Sequence, residues 1–193
     1  MKDFVLALAQ WSALLLLRGA LIILGLCIVA LAIPFRVPSL SASDGRPIEN
    51  LPRWAWLFGN DYDGLLGDKR SWWAENTQFG LAVESYLAMW LWAAVRNPVN
   101  NLRLVPGLSC PVSECTITYS GSYTVEDKSG MGGWQFVTAA RRSSMWYGLY
   151  VVHEWSPTRA FVLRLGYKIK PDHAGKAEPP KGMTFKINPW KSI

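Results

Sequence analysis

The residues able to do acid–base or metal chemistry are few, and their spacing does not favour it. The imidazole supply is His153 and His173 alone, one in a strand-like run and one in a polar loop, without the short spacings that metal ligands need. Glu154 makes no dyad with His153, because consecutive strand residues point to opposite faces. Cys110-Pro-Val-Ser-Glu-Cys115 lacks the C-x-x-C interval of redox and zinc sites; the pair is the candidate for a small disulfide loop if the domain faces an oxidising compartment. The third cysteine, Cys27, lies in an apolar block. Asp61-x-Asp63-Gly64 has the look of a calcium loop, but the first-ligand position is Gly59 and the bidentate Glu position is Arg70, so a self-bonded turn is expected there instead. P-loop, G-x-G-x-x-G, G-x-S-x-G and H-E-x-x-H patterns do not occur. The sequence therefore nominates no catalytic residue, no metal ligand and no cofactor, and the expectation is a non-enzymatic protein.

Charge is the next chemical resource, and it is localised. The formal net charge is +6. From Arg159 to the end eight basic residues stand against Asp172 and Glu178, so the whole excess lies in the last thirty-five residues. Arg164, Lys168, Lys170 and Lys186 are the candidate contacts with an anionic surface, attracted to phosphate over long range. The competing reading is a solvated strand face whose lysines keep a sheet edge from pairing. Nucleic acid is not the expected partner; membrane lipid and a protein partner are.

The element that would hold such a surface near lipid is at the N-terminus. Thirty residues, Phe4 to Ile33, carry one charge, Arg18. As a helix they would run about 45 Å, more than the roughly 30 Å hydrocarbon core. The economical arrangement puts Gly19, Leu21, Ile22, Leu24, Leu26, Ile28, Leu31 and Ile33 in the bilayer, lets Arg18 snorkel to the headgroups, and leaves Phe4 to Leu17 as an interfacial or tilted continuation. Pro34 and Pro38 end the helix. A cleaved signal peptide fits less well: Lys2 is offset by Asp3, the block is about twice the usual apolar length, and only Ser39-Leu40-Ser41-Ala42 resembles a cleavage site. Basic residues flank both ends, which gives only a small preference for a cytoplasmic C-terminal part.

After a polar linker, Trp54, Trp56, Trp72, Trp73, Trp90 and Trp92 crowd into forty residues of a chain with eleven Trp in all. The first four are candidates for an interfacial belt, with a packed core as the alternative. Phe79 to Val95 reads as one amphipathic helix, stopped by Arg96-Asn97-Pro98. From Thr116 the period becomes two. Thr116–Val125, Trp134–Ala139, Met145–Trp155 and Arg159–Lys170 read as strands, the last two joined by Ser156-Pro157-Thr158, with a further strand at Met183–Ile187. Phe161, Leu163, Leu165, Tyr167 and Ile169 are expected to face inward and Val162, Arg164, Lys168 and Lys170 outward. The fold class is α+β: an N-terminal transmembrane helix (1–35), a linker (36–50) and a Trp-rich antiparallel-sheet domain with one packed amphipathic helix (51–193).

The blocks Leu-Pro-Arg-Trp with Trp-Leu-Phe-Gly-Asn-Asp (Leu51 to Asp61), Leu-Trp-Ala-Ala-Val-Arg-Asn-Pro-Val-Asn-Asn (Leu91 to Asn101), Arg-Ala-Phe-Val-Leu-Arg-Leu-Gly-Tyr-Lys-Ile (Arg159 to Ile169) and Phe-Lys-Ile-Asn-Pro-Trp (Phe185 to Trp190) resemble a family of small uncharacterised proteins of tailed bacteriophages and prophages. The resemblance implies a phage context and brings no site residues. The reading it favours is an accessory protein in the inner membrane of the infected host, single-pass, acting through a host or phage protein or through lipid. The alternative is a virion component that contacts the envelope during genome delivery. Hydrolysis of lipid or peptidoglycan lacks a catalytic pair, and a single span before a large β-rich domain is a poor match to a pore.

Overall fold

The computed structural model describes residues 2–67, 82 and 84–193. One helix, α1 (Lys2–Ala32), takes up the apolar block, and a 3-10 turn at Ile33–Phe35 ends it at Pro34. The chain divides into two compact units, Met1–Leu15 with Arg103–Ile193, and Leu16–Leu102.

In the second unit the residues expected to be a linker form a hairpin instead. β1 (Val37–Leu40) pairs antiparallel with β2 (Pro47–Asn50), and Arg36 closes its end on Glu49 at 2.6 Å. The sequence did not announce this strand pair because each arm is four residues long and contains a proline. A 3-10 segment follows at Arg53–Phe58. Of the predicted helix 79–95 the described part is α2 (Tyr86–Trp90), capped by the Ser85 hydroxyl, and a π-helical turn at Leu91–Arg96. It stops before Pro98 as expected, and the Asn97 N–H bonds back to the Trp92 carbonyl. Trp72 and Trp73 lie outside the described residues. Val29 and Ala32 of α1, and Ile33 of the turn that ends it, are buried with Leu51, Phe58, Leu65, Met89 and Ala93. Indole N–H groups fasten the packing, from Trp90 to the Leu26 carbonyl and from Trp92 to the Gly64 carbonyl.

The first unit is a five-stranded antiparallel meander: β3 (Thr116–Gly121), β4 (Gly133–Arg141), β5 (Ser144–Ser156), β6 (Arg159–Tyr167) and β7 (Met183–Ser192), in that order across the sheet. All five strands were legible from their alternation. The direction of the faces was not. Val162 and Ala160 are fully buried, whereas Phe161, Leu163 and Leu165 are only half-buried, so the expected inward and outward sets of β6 are exchanged there. Tyr167 and Ile169 are buried as expected. The pairing with β7 runs unbroken from Leu165 to Tyr167 through Gly166, whose φ of +79° is open to glycine at little cost and whose Cβ would strike the Trp11 indole and the Tyr147 carbonyl.

Candidate functional site

The two faces of the sheet differ in chemistry, and the register shows how. Side chains directly opposite one another on neighbouring strands share a face. Phe136, Leu149, Leu165 and Phe185 form one rung across β4 to β7, and Trp134, Val151, Leu163 and Ile187 form the next. This face carries no charge in either rung. Residues 2–15 of α1 pack on it: the rings of Phe4 and Trp11 each sit 6.3 Å from that of Phe136, and the Trp11 indole donates to the Tyr147 carbonyl at 3.0 Å.

The opposite face carries Gln135, Tyr150, Val152, Val162, Arg164 and Lys186. The β3–β4 connection folds over part of it and brings in Glu126 and Asp127. Together with Lys128, Lys168, Lys170, His173 and Lys181 these groups line an open basin of about 550 Å³. Asp127 is its hub. It accepts from the Tyr150 hydroxyl in a short bond, from Lys186 at 3.3 Å and from Arg164 at 3.5 Å, while the Arg164 guanidinium lies 4.0 Å over the Tyr150 ring. Burial works to raise the Asp127 carboxyl, but the Tyr150 bond and the charges of Arg164 and Lys186 outweigh it and hold it below the usual carboxylate range. The Tyr150 phenol is pushed up to about 12 by burial and by that same bond. Glu126 takes Lys128 at 2.7 Å and Lys170 at 3.5 Å.

Of the four predicted anionic-surface contacts, Arg164, Lys170 and Lys186 are thus committed to internal carboxylates. Lys168 alone is exposed without an ion-pair partner among the described residues. The structure brings three of the four, Arg164, Lys168 and Lys170, to one basin, with Lys186 reaching its Asp127, and partly neutralises it. The missed partners, Glu126 and Asp127, stand 37 to 59 residues away in sequence from Arg164 and Lys186 in the case of Asp127, and local pattern carries no signal for such pairing. His173 sits on the same basin, its Nδ1 accepting from the Lys170 N–H at 3.2 Å; burial, and then Lys181, lower its pKa.

The Asp61 turn is a polar knot. Its carboxylate accepts from Asn50 Nδ2 at 2.6 Å, Asn101 Nδ2 at 2.9 Å and Trp56 Nε1 at 2.7 Å, while its N–H donates to Asn101 Oδ1 at 2.9 Å. Asp63 accepts from Asn60. Every donor to Asp61 is an N–H, so the carboxylate is occupied as a structural acceptor rather than arranged as a cation ligand. Among the described residues no group of three or more His, Cys, Asp or Glu gathers into a metal-binding cluster. The knot ties together two of the blocks on which the phage-family resemblance rests, Leu51–Asp61 and Leu91–Asn101.

The remaining predicted positions fall as follows. Cys110 and Cys115 are free thiols flanking a 3-10 turn at Val112–Glu114, and Cys115 bonds the Pro111 carbonyl. Burial pushes both thiols up, which makes neither a nucleophile at neutral pH. His153 is exposed and edge-on to Trp155 at 5.0 Å, while Glu154 accepts from the backbone N–H groups of Gly130 and Gly132. Trp54 and Trp56 are both exposed, and the Trp56 indole donates to Asp61. Of the anchor residues, Ile33 is buried, Leu21, Ile22, Leu26 and Ile28 are partly covered, and Leu24 and Leu31 are exposed. Gly19 has open space around its Cα. Arg18, the expected snorkelling charge, donates to the Pro98 carbonyl at 3.2 Å.

A family model spans this whole arrangement, from the start of α1 to the end of β7. The chain belongs to DUF7338. That family is described as one of unknown function, and its model matches residues 2–193. No curated protein and no solved structure matches the chain. The matched region takes in α1 together with residues of both units.

Proposed function

We propose that this DUF7338 member is a membrane-anchored, non-enzymatic accessory protein that presents its sheet unit to lipid or to a protein partner at the membrane surface. The observation that carries the reading is the state of α1. It is long and apolar enough to cross a membrane, yet only 11% of its most apolar stretch is buried within the protein. A core helix of a soluble protein would be mostly covered; this one exposes Leu16, Leu17, Ile23, Leu24 and Leu31, and a bilayer is the solvent that such a surface requires. The basin adds Lys168 and the rims of three paired cations as a place for anionic headgroups or an acidic protein segment. The resemblance of its sequence blocks to those of phage and prophage proteins is what supports the inner membrane of an infected bacterium as its setting.

The test is fractionation of bacterial cells expressing the full chain, with carbonate extraction and protease digestion from the periplasmic side. Retention in the carbonate-washed membrane at full length is the expected outcome. A soluble or shortened product would refute the anchor.

A further inference from the structure

The face of the sheet that carries residues 2–15 of α1 is only partly covered by them. Beyond the helix, Trp134 is 50% exposed, Phe185 50% and Ile187 55%, and Val151, Leu163 and Phe161 are half-buried beside them. Trp155, at the irregularity in β5 beside the hairpin turn, and Trp190 on β7 extend this surface, their rings 6.3 Å apart. In a soluble sheet the exposed face is the polar one. Here the order is reversed: Val152, Ala160 and Val162 on the charged face are buried, and the uncharged rungs are the exposed ones. A contiguous apolar face of this kind marks a surface that is covered in use.

We infer that this face of the sheet is itself a membrane-contacting surface, seated among the lipid acyl chains and headgroups alongside α1. The inference rests on the anchor reading above and extends it from one helix to the β-sheet. Three observations choose lipid as the occupant. The helix that lies on the face exposes apolar side chains as well, Val5, Leu6 and Leu8, so the uncovered rungs continue a surface that already needs lipid. The two rungs contain no charge, whereas the ion pairs of Asp127 and Glu126 lie on the other side of the sheet. Trp134, Trp155 and Trp190 stand on the exposed part, and Trp155 has its N–H bonded to the Pro189 carbonyl, the residue type and arrangement favoured at the boundary of hydrocarbon and water. The basic basin lies on the opposite face and takes no part in this acyl-chain contact, which leaves its cations to headgroups or to an acidic protein segment.

The experiment reconstitutes the full chain into vesicles of phosphatidylcholine carrying a diazirine in the acyl chain. Light generates the carbene, and peptide mass spectrometry maps where it inserts. A zwitterionic lipid removes attraction to lysine from the result. Adducts on α1 and also at Trp134, Phe185 or Ile187, at least tenfold above those at Gln135, Val162 and Lys186 on the other face, are expected. Adducts on α1 with none on the sheet would overturn the inference and leave the anchor standing. Absence of adducts from α1 as well would overturn both. A face covered by a second copy of the chain would give that same absence of sheet adducts and likewise overturn it.

Discussion

Replacing Asn101 by Ala tests whether the polar knot, rather than hydrophobic packing alone, holds the second unit together. Asn101 is fully buried and makes three hydrogen bonds: it accepts from the Asp61 N–H at 2.9 Å, donates to the Trp56 carbonyl at 2.7 Å and donates to Asp61 Oδ1 at 2.9 Å. Their losses are unequal. The Trp56 carbonyl keeps the Gly59 N–H, and Asp61 Oδ1 keeps Asn50, so each of these forfeits about 0.5–1.5 kcal/mol. The Asp61 N–H is orphaned, at about 1–3 kcal/mol. The sum is about 2–6 kcal/mol, and Asp61 is only half-buried, so water relieves part of it and the lower half of that range is expected. For a unit of this size about 3 kcal/mol corresponds to a fall of more than 10 °C in Tm. The assay is thermal unfolding of the full chain in detergent, followed by Trp fluorescence. Asn101→Asp provides the control for mechanism. It keeps the acceptor and the volume but sets a second carboxyl against Asp61 Oδ1, so its instability is expected to ease on acidification, when one carboxyl gains a proton and can donate. A change below 0.5 kcal/mol for Asn101→Ala, or an Asn101→Asp penalty independent of pH, would refute the reasoning.

Two further outcomes follow from the basin. Asp127→Asn releases Arg164 and Lys186 from their shared partner, so binding of phosphatidylglycerol to the detergent-solubilised chain is expected to rise by up to about fivefold per freed charge at low salt; native mass spectrometry reads it, and unchanged occupancy would mean that these cations do not reach lipid. The stability of the sheet unit is expected to fall with acid in two stages. His173 has a lowered folded pKa, so its contribution is full above the unfolded value near 6.5 and is lost as the pH falls below it, when protonated Nδ1 can no longer accept from Lys170. Asp127, also lowered, contributes above about pH 4 and fails below that. His173→Gln should remove the first stage from the Tm–pH curve and leave the second.

The elements themselves were legible in the sequence. Thirty apolar residues interrupted by one Arg and closed by Pro34 specify a helix in any environment, and alternation over Thr116 to Ile187 specifies strands, because both signals are local and periodic. The stop at Pro98 and the tight turn of the hairpin after Ser156 are local too. What the sequence could not decide is which way each periodic set points. In β6, Phe161, Leu163 and Leu165 look like a core by composition, yet they are only half-buried while Ala160 and Val162 between them are fully buried. Apolar alternation identifies a face that avoids water, and a bilayer satisfies it as well as a protein interior does.

Pairing across long separations was equally hidden. The C-terminal basic run was visible as net charge, and the commitment of Arg164 and Lys186 to Asp127 depends on a loop that tertiary structure folds back over the sheet. Asp61 and Asn101, forty residues apart, form a buried knot that no spacing rule announces. Sequence by itself determined the inventory: one anchor-length apolar helix, an antiparallel sheet, a localised positive charge and no recognisable catalytic motif. Tertiary structure alone decided the arrangement of that inventory into an uncharged face beside α1 and an ion-paired basin behind it, because the register of hydrogen-bonded strands and the closure of buried polar groups are properties of contacts between distant segments.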